Sequence, residues 1–375
     1  MKNRKRIYLS SPEHYLYDEL LECPPENVEY IMRDLSFYSS PDINNLQVFK
    51  YIKDKFKNRI NSHIVSSKNP LDLIQSNGSI IYDSETLWTV DFEDGTAFTY
   101  LNTPTKEEKE RVSEVLSSEK CKKLIPHCEA AKESFFNLYE PSENIKNKTE
   151  VVYPAFHAPE NFDQETEKFS ILFVAREFER KGGYEAYRAF KKLNKYHDNL
   201  EFICVSNAPE SLKKEDIENT RFYQDVERDK LYDLYREADI FVYPTFHDTF
   251  GLVMIEAMSH GNPVITIDDF ATPEIVNAGE DGYRVKGYDE KWFDTDTKIR
   301  IDKYNNWKVL REQHREEEKD RIVQEIVDKI SVLLEDREKY KKLSDNAREK
   351  IESGKFSIEK RNKKLNRIYR NAVSD

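Results

Sequence analysis

Two carboxylates eight positions apart, Asp248 and Glu256, bracket a Phe250-Gly251 step and an apolar run. A buried-looking strand, Ala238–Pro244, precedes them, and another, Asn262–Ile267, follows. The unit therefore reads strand, loop, helix, tight Gly turn, strand, which is a parallel-sheet crossover. A helix that begins at Phe250-Gly251 offers unpaired backbone N–H groups and the positive end of its dipole. Both suit an anion such as a diphosphate. Eight residues is a little over two turns at about 3.6 residues per turn. Asp248, in the loop, and Glu256, in the third turn, then both reach the carboxyl edge of the sheet, where open α/β folds bind ligands. One carboxylate can accept hydrogen bonds from a sugar, the other from a ribose diol.

A second element, Ile171-Leu-Phe-Val-Ala-Arg176-Glu-Phe-Glu-Arg-Lys181-Gly182-Gly183, has a strand delivering Arg176 at its end and Lys181 in the loop before a helix. Two cations at the mouth of a parallel sheet neutralise a diphosphate without a metal. Pro273 in Thr272-Pro273-Glu274 suits a first helical turn, so Thr272 and Glu274 either start that helix or line the site. Tyr223, in Arg221–Val226, is either a nucleobase contact or a buried aromatic. In the first half, Leu87–Thr96 runs from a strand into an acidic loop with Asp91, Glu93 and Asp94. That loop reads as a site for hydroxyl groups, as a metal-binding acidic motif, or as an ordinary turn.

These segments need a frame of strands and helices, and 375 residues are enough for two domains. Strand-like and helix-like stretches alternate throughout, which implies an α/β chain with parallel sheets. Strands are expected at 6–10, 28–34, 63–67, 79–83, 87–92, 123–127 and 150–153, then at 169–175, 200–205, 240–243, 263–267 and 283–285. Helices are expected near 46–60, 106–118, 129–139, 183–194, 227–237, 251–259 and 273–278. The polar stretch 154–168 reads as a linker. It divides an N-terminal domain, 1–155, from a C-terminal domain, 156–354, followed by a final helix within 355–375. Residues 316–350 carry Ile322, Ile326, Ile330, Leu333 and Leu334 at helical spacing. Residues 288–313 are aromatic and charged with no period.

Net charge is −12, which argues against nonspecific nucleic-acid binding. No apolar run approaches the roughly 18–20 residues that span a bilayer. The basic start lacks a long apolar segment, so a cytoplasmic location is expected. Cys23, Cys121, Cys128 and Cys204 show no CxxC spacing and read as reduced core residues. The basic helix expected over 46–60 puts Phe49, Ile52, Phe56 and Ile60 on one face. Phe49–Arg59 either packs on its own sheet or touches the anionic inner face of a membrane.

The Asp248–Val264 stretch resembles the donor-site signature of retaining glycosyltransferases of family 4, in the glycosyl transferases group 1 set. That signature has a carboxylate, seven residues and a Glu, with Phe-Gly-Leu between and Glu-Ala-Met, Gly and Pro-Val after. The resemblance implies a GT-B fold, with two Rossmann-like domains facing across a cleft. It implies retaining, metal-independent transfer of a hexose-type sugar from a UDP- or GDP-sugar to a hydroxyl acceptor (a glycan, a lipid-linked sugar or a small molecule), with no cofactor. It assigns Arg176 and Lys181 to the diphosphate, Asp248 to the sugar and Glu256 to the ribose. Thr249, Phe250, Gly251 and Leu252 fall to the donor, with Thr272 and Glu274 closing over it and Tyr223 beside the base. Glu93 stands where the family often has a His at the sugar or acceptor. The final helix is expected to cross back onto the first domain, and 288–313 resembles an insertion. Asp248 replaces the family's Glu, and the loops after Leu9 and Val205 lack its glycines. These departures motivate a second reading, a nucleotide-sugar-binding or partner subunit without turnover; a third reading is a GT-B-fold epimerase acting on the sugar nucleotide.

Overall fold

The computed structural model describes residues 4–10, 15–32, 60–63, 70–82, 85–100, 102–159, 168–215, 217–301 and 306–374. The expected 46–60 helix, with its membrane-facing alternative Phe49–Arg59, lies outside the described residues apart from Ile60. The chain divides into two compact units. One comprises Met1–Pro154, Asp296–Asp302 and Glu359–Asp375; the other comprises Ala155–Thr295 and Lys303–Ile358.

The first unit is built on β1 (Lys5–Leu9), β2 (Val28–Ile31), β3 (Ser62–His63), β4 (Leu73–Asn77), β5 (Ile80–Ile81), β6 (Trp88–Phe92) and β7 (Cys121–Pro126). Five of these form a parallel sheet in the order β2-β1-β4-β6-β7, while β3 pairs with β5. Sequence reading misses β4, because Gln75-Ser76-Asn77 breaks its apolar run. It also places a strand at 150–153, where the structure has none; the adjacent Thr149 forms an isolated bridge with Leu124.

Gln75 is polar for a reason that packing reveals. Its Nε2 donates to Asp91 Oδ2 at 2.7 Å, and Tyr17 donates its hydroxyl to the same oxygen at 2.9 Å. Tyr369, on the Ile358–Ser374 helix, donates to Gln75 Oε1 and meets the Tyr30 hydroxyl at 2.9 Å. His127 Nε2 lies 3.3 Å from Asp91 Oδ1. Asp91 is thus the acceptor hub of a buried network that binds the last helix to the sheet. A buried donor left without an acceptor is costly. Asp94 is spoken for as well, since its Oδ1 accepts from the Thr96 N–H and hydroxyl at 2.5 and 2.6 Å.

The second unit holds a six-stranded parallel sheet in the order β10-β9-β8-β11-β12-β13. Its strands are β8 (Phe169–Val174), β9 (Leu200–Val205), β10 (Thr220–Tyr223), β11 (Ile240–Tyr243), β12 (Val264–Asp268) and β13 (Gly282–Lys286). Strands β8, β9, β11 and β12 are almost unbroken apolar runs because helices cover both faces. β10 is absent from the expected strands: it is a half-buried edge strand, so its apolar signal is weak. The charged 316–350 stretch forms two helices, Glu316–Glu335 and Arg337–Glu352, parted at Asp336, whose side chain caps the second. All four cysteines are free thiols. No described helix is long and apolar enough to cross a membrane.

Asp91→Ala removes the acceptor shared by Tyr17 and Gln75. Urea denaturation should show a loss of about 2–4 kcal/mol, and Asp91→Asn, which keeps one acceptor, should lose less.

Candidate active site

Strand order places the site. From β8 the chain runs outward to β9 and β10, then returns to β11 on the other side of β8. The loops after β8 and β11 therefore diverge from adjacent strand ends, and such a switch point is where open parallel sheets bind ligands. The first loop is Ala175–Gly182 and the second is Pro244–Gly251.

Both loops end in a glycine in the left-handed region, followed by a helix that no side chain caps. Gly182 (φ 81°) starts Gly183–Leu193, and Gly251 (φ 83°) starts Leu252–Ser259. A Cβ on Gly182 would lie 2.2 Å from the Pro244 carbonyl oxygen, so only glycine lets the two loops pass. Two positive helix ends at one switch point favour an anion.

Lys181 and Asp248 join the loops. Lys181 Nζ donates to Asp248 Oδ2 at 2.6 Å and to the His247 carbonyl oxygen at 2.9 Å. Tyr243, at the end of β11, donates its hydroxyl to the same Asp248 oxygen at 2.7 Å. The two charged side chains are only 11% and 15% exposed. Burial alone would raise the Asp248 carboxyl, but the Lys181 ammonium and the bonds from Lys181 and Tyr243 outweigh it and hold the group below its ordinary value. Burial lowers Lys181, against the pull of Asp248, and raises Tyr243 well above the usual phenol value.

The other cations divide. Arg180 pairs with Glu177 at 2.5 Å. Arg176 is exposed and, among the described residues, forms no ion pair. The family resemblance assigns Arg176 and Lys181 to the diphosphate. In this structure Lys181 is held by Asp248, and Arg176 is the cation open to solvent.

Glu256 lies in the Leu252–Ser259 helix itself and is 1% exposed. Its Oε2 accepts from the Tyr235 hydroxyl at 3.2 Å, and burial raises its pKa to about 8. At neutral pH it is largely protonated, hence able both to donate and to accept. Phe250 turns its ring away to Phe356, at 6.0 Å, so the Thr249–Leu252 stretch offers backbone at the loop end. Thr272 starts the Thr272–Ile275 helix, and its hydroxyl donates to the carbonyl oxygens of Ile267 and Asp269 at 2.6 and 2.8 Å. Glu274 is half-buried in that helix. Tyr223 is the last residue of β10, half-buried at the same carboxyl edge. Glu93 belongs to the first unit, half-buried in the loop after β6.

Tyr243 was missed by sequence reading. Its signal is its place: the last strand residue before Pro244, on the same face as Phe241, with ring centroids 5.7 Å apart. Trp292 and Phe293 were missed too, since nothing periodic surrounds them.

Residues 157–295 match the family model for Glycosyl transferases group 1. An uncharacterized 41.2 kDa protein in the cps region of Klebsiella pneumoniae is 31% identical over 154 residues, covering 37% of this chain and 42% of that protein. A D-inositol 3-phosphate glycosyltransferase from Streptomyces scabiei is 38% identical over 69 residues, covering 18% and 16% respectively. The chain thus matches less than half the length of these curated relatives. Among solved structures, a glycosyltransferase from Rickettsia africae superposes with a TM-score of 0.65 at 15% identity, over 100% of both chains. Sucrose-phosphate synthase from Thermosynechococcus elongatus does so at 0.62 and 14%, covering 99% and 100%. Anabaena Alr3699/HepE in complex with UDP and glucose gives 0.61 and 13%, covering 98% and 100%. The two parallel-sheet, Rossmann-like units are those of the GT-B fold, and the second unit carries the group 1 glycosyltransferase match.

Two outcomes check this electrostatic picture. Lys181→Ala strands a buried carboxylate and should cost about 3–5 kcal/mol in chemical denaturation; adding Asp248→Asn should restore part of that loss. Glu256 has a folded pKa of about 8, above its ordinary 4.5. Its protonated form therefore contributes stability that is complete below about pH 4.5 and is lost progressively as pH rises through about 8. Thermal midpoints of wild type should fall relative to Glu256→Gln across that window, with little difference between the two below it.

Proposed function

We propose that this chain is a retaining, metal-independent glycosyltransferase. It would move a hexose-type sugar from a nucleoside-diphosphate sugar to a hydroxyl acceptor. The observation that carries the reading is the pairing of two uncapped helix ends with Arg176, Lys181 and Asp248 at the switch point between β8 and β11. A diphosphate needs fixed positive charge, and this arrangement supplies it without an ion.

Arg176 meets the diphosphate first, because it is exposed. The diphosphate then competes with Asp248 for Lys181. As the ammonium turns to phosphate oxygen, the carboxylate is released to accept hydrogen bonds from sugar hydroxyls. Charge that grows on the leaving diphosphate as the glycosidic bond breaks is met by Arg176, Lys181 and the N–H groups of Thr249–Leu252. Losing one such donor costs roughly 100- to 1000-fold in rate. The acceptor hydroxyl attacks on the face the diphosphate leaves, and its proton passes to a phosphate oxygen, so no protein nucleophile is needed. Glu256, protonated in its buried setting, serves the ribose diol. Tyr223 flanks the base, Thr272 and Glu274 close the donor loop, and Glu93 orients the acceptor.

The donor nucleotide is UDP or GDP. The Anabaena relative was solved with UDP and glucose, which puts UDP first. The acceptor is a glycan, a lipid-linked sugar or a small molecule, in the cytoplasm or at the inner membrane face. The ion pair that occupies Lys181 favours one rival, a subunit that binds the sugar nucleotide without turning it over.

A thermal-shift panel of UDP, GDP, UDP-glucose and GDP-mannose in EDTA tests the donor reading. A ligand at 100 times its dissociation constant adds about 2.7 kcal/mol, which raises the midpoint by about 1 °C or more. One base should produce the shift, and Arg176→Ala should weaken it at least tenfold in affinity. No shift with any nucleotide would sink the reading. Nucleotide release from the bound conjugate would mark the transferase, its absence the binder, and an altered sugar still on the nucleotide an epimerase.

A further inference from the structure

The segment after β12 has little in its own sequence to hold it. Thr272–Ile275 is a helix of four residues, far shorter than the ~12–15 at which a helix begins to sustain itself. Its last carbonyl groups need partners from outside it. Two lysines from a distant stretch of the second unit supply them. Lys350 Nζ donates to the Ile275 carbonyl oxygen at 2.6 Å, and Lys355 Nζ donates to the Glu274 carbonyl oxygen at 3.0 Å. Ammonium groups also suit the negative end of a helix. Lys350 pairs in addition with Asp281 Oδ2 at 2.5 Å, and these two side chains are only 11% and 4% exposed. The other Asp281 oxygen accepts from the Asn277 N–H at 2.8 Å. The helix is thus tied at its start by the Thr272 hydroxyl and at its end by two side chains remote in sequence.

The same stretch reaches the loop after β11. Lys350 lies in the last turn of the Arg337–Glu352 helix. The chain then turns back, so that the Phe356 N–H donates to the Lys350 carbonyl oxygen at 3.1 Å. This turn delivers the Phe356 ring, fully buried, edge-on to Phe250 at 81°. Phe356 is fixed from its other side as well, where its carbonyl oxygen accepts from the Phe156 N–H at 3.2 Å. The direction of the Phe250 ring is what leaves the Thr249–Leu252 backbone at the loop end. All of these residues belong to the second unit.

We propose that Lys350, Lys355 and Phe356 are positioning residues of the donor site. One short stretch sets the Thr272–Ile275 helix by its carbonyl end and the Phe250-Gly251 step by an aromatic edge. The three residues act through Thr272, Glu274 and the N–H groups of Thr249–Leu252. Their part in donor binding rests on the glycosyltransferase reading; their hold on the two segments does not.

Amide hydrogen exchange on the full chain reads that hold without any substrate. The N–H groups of Thr272, Glu274 and Val276 bond to the carbonyl oxygens of Asp269, Ala271 and Thr272, and that of Met254 bonds to Gly251. Loosening of either segment therefore registers as faster exchange at those amides. Lys355→Met frees the Glu274 carbonyl. Lys350→Met combined with Asp281→Asn frees that of Ile275 and leaves no buried carboxylate stranded. Both should speed exchange at Thr272, Glu274 and Val276 by about tenfold or more, and Phe356→Leu should do so at Met254. Each should also weaken UDP or GDP binding by about fivefold or more, with β8 and β9 exchanging at wild-type rates. Lys355→Arg, which can still donate to the carbonyl, should keep both readouts near wild type. If the Lys350 double variant or Phe356→Leu loosens β8 and β9 too, Lys355→Met decides. Wild-type exchange at these amides in Lys355→Met would overturn the hold. Faster exchange there with unchanged nucleotide affinity would overturn the positioning role. A wild-type chain that binds neither nucleotide refutes the donor reading, while the exchange rates still judge the hold.

Discussion

An ammonium and a carboxylate 2.6 Å apart at the mouth of a parallel sheet constrain what surrounds them in the second unit. Lys181 and Asp248 come from different loops, so their pair fixes the spacing of those loops. It also makes each side chain the price of using the other. A buried pair of this kind is weak evidence for stability, because desolvation offsets most of the attraction. Its better explanation is a poised arrangement, in which an arriving anion replaces the carboxylate at the ammonium. The glycines at 182 and 251 and the Tyr243 hydroxyl serve this geometry. The glycines allow close passage and left-handed turns, and the tyrosine keeps the carboxylate oxygen satisfied.

The second unit was legible where its sequence obeys a simple period. Strands β8, β9, β11 and β12 are continuous apolar runs bounded by turn residues, and they lie close to where that pattern puts them. The Gly182-Gly183 and Phe250-Gly251 steps marked both helix starts. What sequence could not give was which charges meet. Lys181 and Asp248 are 67 positions apart, and their pairing depends on strand order, which no local pattern encodes. The burial of Glu256 is similar: spacing set its face of the helix, but the packing of Tyr235 decided that its carboxyl would be largely neutral.

The first unit was harder to read for a different reason. Its sheet depends on a polar strand, β4, whose Gln75 and neighbours are tied into the Asp91 network. A strand whose core side carries hydrogen-bonding groups has no apolar signature. Asp91 itself was a candidate for substrate contact, and the structure gives it Tyr17, Gln75 and His127 as partners instead. The same holds for Trp292 and Phe293. Aromatic residues in an aperiodic segment give no sign of their partners until the fold brings His247 and Phe270 to them.

The most direct measurement is a crystal structure of the chain soaked with the nucleoside diphosphate that binds it. The account predicts Lys181 Nζ within about 3.2 Å of a phosphate oxygen, with the Asp248 carboxylate released from it and Arg176 drawn onto the same diphosphate. A diphosphate bound elsewhere, with Lys181 and Asp248 still paired at 2.6 Å, would contradict it.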